Sequence, residues 1–110
     1  MMKFKILLEE YNNIDFQSLS LEWSDDQASR VVGGKILNEI GKSNKFITGG
    51  SADLAASTKQ IVSDEVFGSK NYSGKTIEFG IREHAMGGIV NGIALHSNLI
   101  PYGSTFFNIF

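Results

Sequence analysis

The stretch that most constrains this chain is Thr76-Ile77-Glu78-Phe79, which runs straight into Gly80-Ile81-Arg82-Glu83-His84-Ala85-Met86-Gly87-Gly88-Ile89-Val90-Asn91-Gly92. The first four residues are β-like. After them Ala85, Met86, Ile89, Val90, Ile93 and Ala94 recur at helical spacing and predict one buried helix face. A strand that passes directly into a helix is the working unit of an α/β fold built on a parallel sheet. Gly87, Gly88 and Gly92 each weaken such a helix by about 1 kcal/mol relative to alanine. Their presence predicts a close backbone approach, to another element or to a ligand. Arg82, Glu83 and His84 stand at the handover, the ligand-facing end of an open α/β sheet. Taken alone, Glu83 reads as a first-turn acid complementing the helix dipole, and His84 as structural.

Upstream, Ser24-Asp25-Asp26-Gln27 has the form of a capping box, with Ser24 as the cap and Gln27 as its reciprocal partner. Ala28, Val31, Val32, Leu37 and Ile40 continue as an apolar stripe, and Gly41 predicts the helix end. Gly33-Gly34 inside it means that packing, not propensity, must hold the helix. Lys45-Phe46-Ile47-Thr48 predicts a short strand ending at Gly49-Gly50. Ser51 to Thr58 then lies beyond its carboxyl end, where Asp53 and Ser57 read locally as turn residues. Lys59 to Lys75 is a long polar connection with Ile61, Val62, Val66 and Phe67 as apolar anchors; its length predicts a functional or partly mobile loop. Asn71-Tyr72-Ser73-Gly74 is a turn signal within it. Leu99-Ile100-Pro101-Tyr102 predicts an edge strand, because proline cannot donate to a ladder. The run Gly103 to Phe110 is apolar and aromatic; chain ends usually lie in solvent, so the fold is expected to continue past it.

Bulk properties narrow the function. With 110 residues, 42% hydrophobic and 20% charged, the chain has the make-up of an ordinary globular domain. A net charge of −2 and the lack of a basic run argue against nucleic-acid binding. There is no cysteine, which excludes disulfides, thiolate metal sites and cysteine nucleophiles. No segment approaches the roughly 20 apolar residues of a membrane span, and the start does not read as a signal peptide. A cytoplasmic location, with no membrane or nucleic-acid partner, is the expectation.

Three motifs occur in order: Gly49-Gly50-Ser51-Ala52-Asp53-Leu54, then Gly80-Ile81-Arg82-Glu83-His84-Ala85-Met86, then Ile100-Pro101-Tyr102-Gly103 through Phe106. Together they resemble transketolase, and specifically the first half of its pyrimidine-binding domain. The resemblance covers Asp25 to Phe110. It implies a partial parallel-sheet domain that binds thiamine diphosphate, truncated at its C-terminal end. Residues 24–110 would form this part, and residues 1–23 the connector from an upstream diphosphate-binding domain.

The resemblance also implies roles. Glu83 is the catalytic carboxyl, hydrogen-bonded to the ring nitrogen N1′ of the cofactor's aminopyrimidine and so promoting loss of the C2 proton. Asp53 and Phe106 join Glu83 in binding the cofactor, Phe106 by packing on the ring. Arg30, 20 residues ahead of Gly50, and Ser57 grip the substrate phosphate; a guanidinium fork suits phosphate oxygens. The implied reaction moves a two-carbon ketol unit from a ketose phosphate to an aldose phosphate, in the pentose phosphate pathway. The implied assembly is a homodimer. Mg²⁺ or Ca²⁺ would sit on the diphosphate, ligated by the absent domain, so no metal residue is expected in this chain. The sequence departs from the family at Ala55-Ala56, where Thr-Pro is frequent, at Ser104, which replaces a glycine, and at Ile109, where a second aromatic is usual. Alternatives are another thiamine-diphosphate enzyme, such as deoxyxylulose-phosphate synthase or a 2-oxo acid dehydrogenase β-subunit, and a non-catalytic remnant or interaction module. The 110 residues alone are expected to be inactive.

Overall fold

Six elements alternate along the residues that the computed structural model describes, which are 17, 26–53 and 55–106. They are α1 (Ser29–Ser43), β1 (Ile47–Ser51), α2 (Ala55–Thr58), β2 (Thr76–Glu78), α3 (Glu83–His96) and β3 (Ile100–Ser104). The strands form one parallel sheet in the order β2-β1-β3. The α/β class and the parallel sheet read from the sequence are what the chain adopts.

β1 lies in the middle because its sequence lets both neighbours close in. A Cβ on Gly49 would stand 2.0 Å from the carbonyl oxygen of Tyr102, and one on Gly50 would stand 1.9 Å from that of Ile77. Neither distance admits a side chain, so the glycine pair sits inside the strand. It does not end it: β1 starts later than predicted and runs through both glycines to Ser51. The register then brings Ser51, Glu78 and Ser104 level at the carboxyl end. There the Ser51 hydroxyl donates to the Ser104 carbonyl at 2.9 Å.

α1 differs from its sequence signals at both ends. It starts at Ser29, with Ala28 in the capping position and no side-chain cap. Ser24 lies outside the described residues, and Gln27 accepts a hydrogen bond from Lys35 Nζ at 3.3 Å. Gly41 does not terminate the helix, which runs to Ser43. It is instead a contact point, where a Cβ would meet Val62 Cγ1 at 2.5 Å. Gly34 serves similarly against the Lys59 carbonyl, 2.4 Å from where its Cβ would be. Glycine thus holds α1 close to the segment after α2. Lys75 Nζ supports the far end, donating to the carbonyls of Gly41 and Asn44 at 3.3 and 3.4 Å, as suits a cation at a helix C-terminus.

α3 packs on the sheet through one narrow line. Met86 is buried with Ala52 and Phe79, and Ile77 and Val90 close over them. The broad buried face predicted for this helix is not found: Ala85 and Ala94 are exposed, and Ile89 is 47% exposed. The reason is geometric. The described sheet offers α3 a floor of three strands, and only the Met86–Val90–Ile93 edge reaches it. Nor do Gly87, Gly88 and Gly92 meet a neighbour; nothing lies within 4 Å of a Cβ built on any of them.

The long connection is pinned to the sheet. The Glu65 carbonyl accepts from the backbone N–H groups of Lys75 and Thr76, each at 3.1 Å, and Phe67 N–H donates to the Thr76 carbonyl at 2.8 Å. The Thr76 hydroxyl donates to the Ser63 carbonyl. The predicted turn at Asn71 is present, its side-chain oxygen accepting from Ser73 N–H at 3.1 Å. Of the four apolar anchors only Val62 is buried; Val66 and Phe67 are exposed. β3 begins at Ile100, carries Pro101 opposite Thr48 and runs on to Ser104, on the outer side of β1. No helix of the described residues is long and apolar enough to cross a membrane.

Candidate functional site

Every residue singled out from the sequence lies at or near the carboxyl ends of the strands, or on the helix start that faces them. Glu83 is the first residue of α3 and half-buried. Arg82 precedes it as the capping residue, its carbonyl accepting the Met86 N–H at 2.8 Å. The Glu83 carboxylate therefore sits at the positive end of the helix dipole, as its local reading predicts. Gly80, with φ +69°, makes the bend that delivers it, and Arg82 Nη1 donates back to the Phe79 carbonyl at 3.2 Å. A side chain at residue 80 would be strained there.

Phe106 follows β3, two residues past its end. α3 crosses β3 at Gly103, where a Cβ would meet Met86 Cγ and Sδ at 3.2 Å and Val90 Cγ2 at 3.3 Å. Glu83 stands three residues before Met86, and Phe106 three residues after Gly103. One packing contact thus joins the helix that begins at Glu83 to the strand that leads to Phe106.

A second group forms around the turn after β1. Asp53 is exposed and held at φ +58°, and Lys59 at φ +60°. Left-handed backbone is unusual for non-glycine residues, and strained positions of this kind gather at functional sites. Here they bracket α2, and with it Ser57. A cleft of about 580 Å³ opens between this turn, α1 and β3; Arg30, Thr58, Gln60, Tyr102, Thr105 and Phe106 are in its wall. Arg30 and Phe106 therefore share one space, while the exposed Ser57 adjoins it through Thr58. Asp53 borders a different cleft, of about 310 Å³, with Ser51, Asp64 and Glu78.

The Arg30 cleft has polar groups that sequence reasoning missed. Thr58 Oγ1 and Thr105 Oγ1 are buried without a hydrogen-bond partner, an unusual state that calls for a ligand or solvent. The Tyr102 hydroxyl accepts from Val62 N–H at 3.2 Å and donates to the Gln60 carbonyl at 3.4 Å. Burial pushes this hydroxyl up from its ordinary pKa, and the Val62 N–H opposes the shift. The Gln60 side-chain amide bonds back to α1, donating to the Arg30 carbonyl at 2.9 Å and the Thr58 carbonyl at 3.2 Å.

Comparison with known proteins decides the family. The model of the transketolase pyrimidine-binding domain matches residues 25–110. The chain belongs to that family. It is 48% identical to the Bacillus subtilis transketolase over 81 residues, which are 73% of this chain and 12% of that relative. The crystal structure of the Campylobacter jejuni transketolase superposes with a TM-score of 0.76 at 40% identity, over 94% of this chain and 16% of that one. A Pichia stipitis transketolase, solved in complex with sedoheptulose 7-phosphate, gives a TM-score of 0.78 at 31% identity, over 97% of this chain and 18% of that one. The chain thus spans about an eighth of the length of the Bacillus relative.

The transketolase motifs and the geometry meet at the same residues. Gly49-Gly50 is the pair that lets β1 pass between its neighbours, the Gly80 motif makes the bend into α3, and the Pro101-Tyr102-Gly103 motif forms β3 under Met86. Thr58 and Gln60 lie just past the first motif. Their hydroxyl and amide were indistinguishable there from ordinary loop polarity.

Proposed function

We propose that this chain supplies the pyrimidine-side half of a transketolase active site. In the complete enzyme a two-carbon ketol unit passes from a ketose phosphate to an aldose phosphate. The observation that carries this is the Met86–Gly103 contact, which joins the helix opening at Glu83 to the strand leading to Phe106. The residues present fit an aminopyrimidine ring there. A half-buried carboxylate at a helix terminus can hold a proton at a ring nitrogen, and a half-buried aromatic can give the ring an apolar wall.

When bound, thiamine diphosphate supplies a carbanion equivalent at C2 of its thiazolium ring. Glu83 would share a proton with ring nitrogen N1′, which is its catalytic role. Phe106 would give the ring an apolar wall that excludes water, and Asp53 would join them in holding the cofactor. Arg30, exposed at the start of α1, and the exposed Ser57 hold the substrate phosphate beside the 580 Å³ cleft. The complex of the Pichia relative with a phosphorylated sugar supports a sugar phosphate as the substrate class. The same reading makes the enzyme a cytoplasmic homodimer of the pentose phosphate pathway. Mg²⁺ or Ca²⁺ belongs to the diphosphate-binding domain that precedes residues 24–110, with residues 1–23 as the connector.

The test is Glu83→Gln in a full-length transketolase carrying this stretch. Turnover should fall by at least about 100-fold, with the circular dichroism and thermal unfolding of the wild type. Near-normal turnover would overturn the assignment. Parallel assays of ketol transfer and pyruvate decarboxylation separate transketolase from the other thiamine-diphosphate enzymes.

A further inference from the structure

We propose that Gln60 is a positioning residue for substrate phosphate, clamping the Arg30 end of α1 to the Ser57 turn. The inference rests on the reading of Arg30 and Ser57 given above. Both are exposed, and they belong to different elements, so their relative placement must come from a contact between those elements. Arg30 is the second residue of a helix whose start has no side-chain cap. The Ala28 carbonyl accepts from the N–H groups of Val31 and Val32 at 2.8 and 3.3 Å, but no side-chain cap adds to this hold. A guanidinium on a loosely held turn is a poor phosphate clamp, because each alternative position must be given up on binding.

The Gln60 amide answers this. Its Nε2 has two N–H donors, and two carbonyls receive them: that of Arg30 at 2.9 Å and that of Thr58 at 3.2 Å. One belongs to the arginine itself and the other to the residue after Ser57. The amide therefore ties the backbones of the two phosphate-binding elements at adjacent points. Gly33 gives it room: a Cβ there would stand 3.0 Å from Nε2 and 3.4 Å from Oε1, and the amide would have to give by a few tenths of an ångström. Gly34 likewise admits the Lys59 carbonyl. The Gly33-Gly34 pair, a liability for the helix, is the seat of Lys59-Gln60.

The other side of the clamp is fixed to the sheet. The left-handed turn at Lys59 aims the chain toward α1, and the Gln60 carbonyl accepts from the Tyr102 hydroxyl on β3. Gln60 thus links α1, α2 and β3 through its two ends. Its amide donors are taken up by the Arg30 and Thr58 carbonyls, so its effect falls on the phosphate end of the substrate.

The experiment compares a sugar phosphate acceptor with the same sugar lacking phosphate, in full-length transketolase carrying this stretch. For Gln60→Leu the KM of the phosphorylated sugar should rise about tenfold, the scale of losing well-placed hydrogen bonds. Turnover at saturation and the KM of the unphosphorylated sugar should stay within about twofold. Gln60→Met keeps the length of the side chain but loses both donors, and should give the same selective rise; it carries the test should Gln60→Leu fail to fold. Equal shifts for both sugars, or none, overturn the proposal. Arg30→Ala separates this from the parent reading. If Arg30→Ala does not distinguish the two sugars, the phosphate assignment fails. If it does and neither Gln60→Leu nor Gln60→Met does, the clamp alone fails.

Discussion

Met86 lies across Gly103 with so little clearance that a methyl group on residue 103 would stand 3.2 Å from its Cγ and Sδ. This contact joins the helix that begins at Glu83 to the strand that leads to Phe106. It is also where the buried cluster of Met86, Ala52 and Phe79 meets the edge of the sheet. Packing and site geometry therefore depend on one side chain. Met86→Ala would remove most of the filling of that cluster, and a buried methionine cut to alanine costs about 2–5 kcal/mol. In full-length transketolase carrying this stretch, chemical denaturation should report that loss. Residual turnover should fall too, because the α3 start is free to shift relative to Phe106. A variant with unchanged unfolding midpoint would mean that α3 is held by something other than this contact.

Asp53 and Lys59 share a left-handed backbone but differ in what it serves. Lys59 closes α2, its N–H donating to the Ala55 carbonyl at 3.0 Å, a position where glycine is the usual residue. Lys59→Gly should stabilise the protein by about 0.5–1 kcal/mol, since the strain removed exceeds the added freedom of the unfolded chain. Activity should be unaffected. Asp53→Gly relieves similar strain and should also raise the unfolding temperature, by less because aspartate tolerates this region better than lysine. There activity should drop, because the proposed function assigns this carboxylate to cofactor binding. Thermal unfolding paired with turnover for the two variants checks both signs. Loss of stability in Lys59→Gly would refute the strain argument.

The architecture was legible where a residue has one structural use. The strand before Gly80 and the helix after it could be read directly, because periodicity and the position of the bend agree. Glycine was harder to read, since it marks both helix ends and close packing. Gly41 looked like a stop and is a contact with Val62; Gly49-Gly50 looked like a strand end and lies inside β1. Ser24 to Gln27 formed a capping pattern, yet the observed helix begins at Ser29 without a cap. Local pattern describes what a segment can do alone, and the approach of α1 to Lys59 and Gln60 depends on residues 30 positions away. The broad apolar face of α3 failed as a burial prediction for a related reason. Amphipathic spacing shows which side is apolar, whereas burial depends on what lies opposite, and the described sheet covers only part of it. For the proposed site, the family motifs mark Glu83, Asp53 and Phe106. Gln60 and Tyr102 were not legible, because their function is to join elements far apart in the chain.

Tyr102 gives the fold a dependence on alkaline pH. Its hydroxyl is desolvated by burial, which raises its pKa, and the Val62 N–H bond offsets part of the rise. A folded pKa above the unfolded value means that the folded state binds the proton more tightly. The resulting stability is present in full below the unfolded tyrosine value of about 10, and is lost as pH rises through the higher folded value. Unfolding free energy should therefore be level with respect to this group at neutral pH and decline above pH 10 or so. Tyr102→Phe removes that decline but leaves Val62 N–H without its partner, at a cost of about 1–3 kcal/mol at every pH. The two stability curves should accordingly converge under alkaline conditions. Urea unfolding of full-length transketolase and its Tyr102→Phe variant, from pH 7 to pH 11, measures the convergence. Parallel curves across that range would place the tyrosine's ionisation outside the folding equilibrium and leave its role to hydrogen bonding alone.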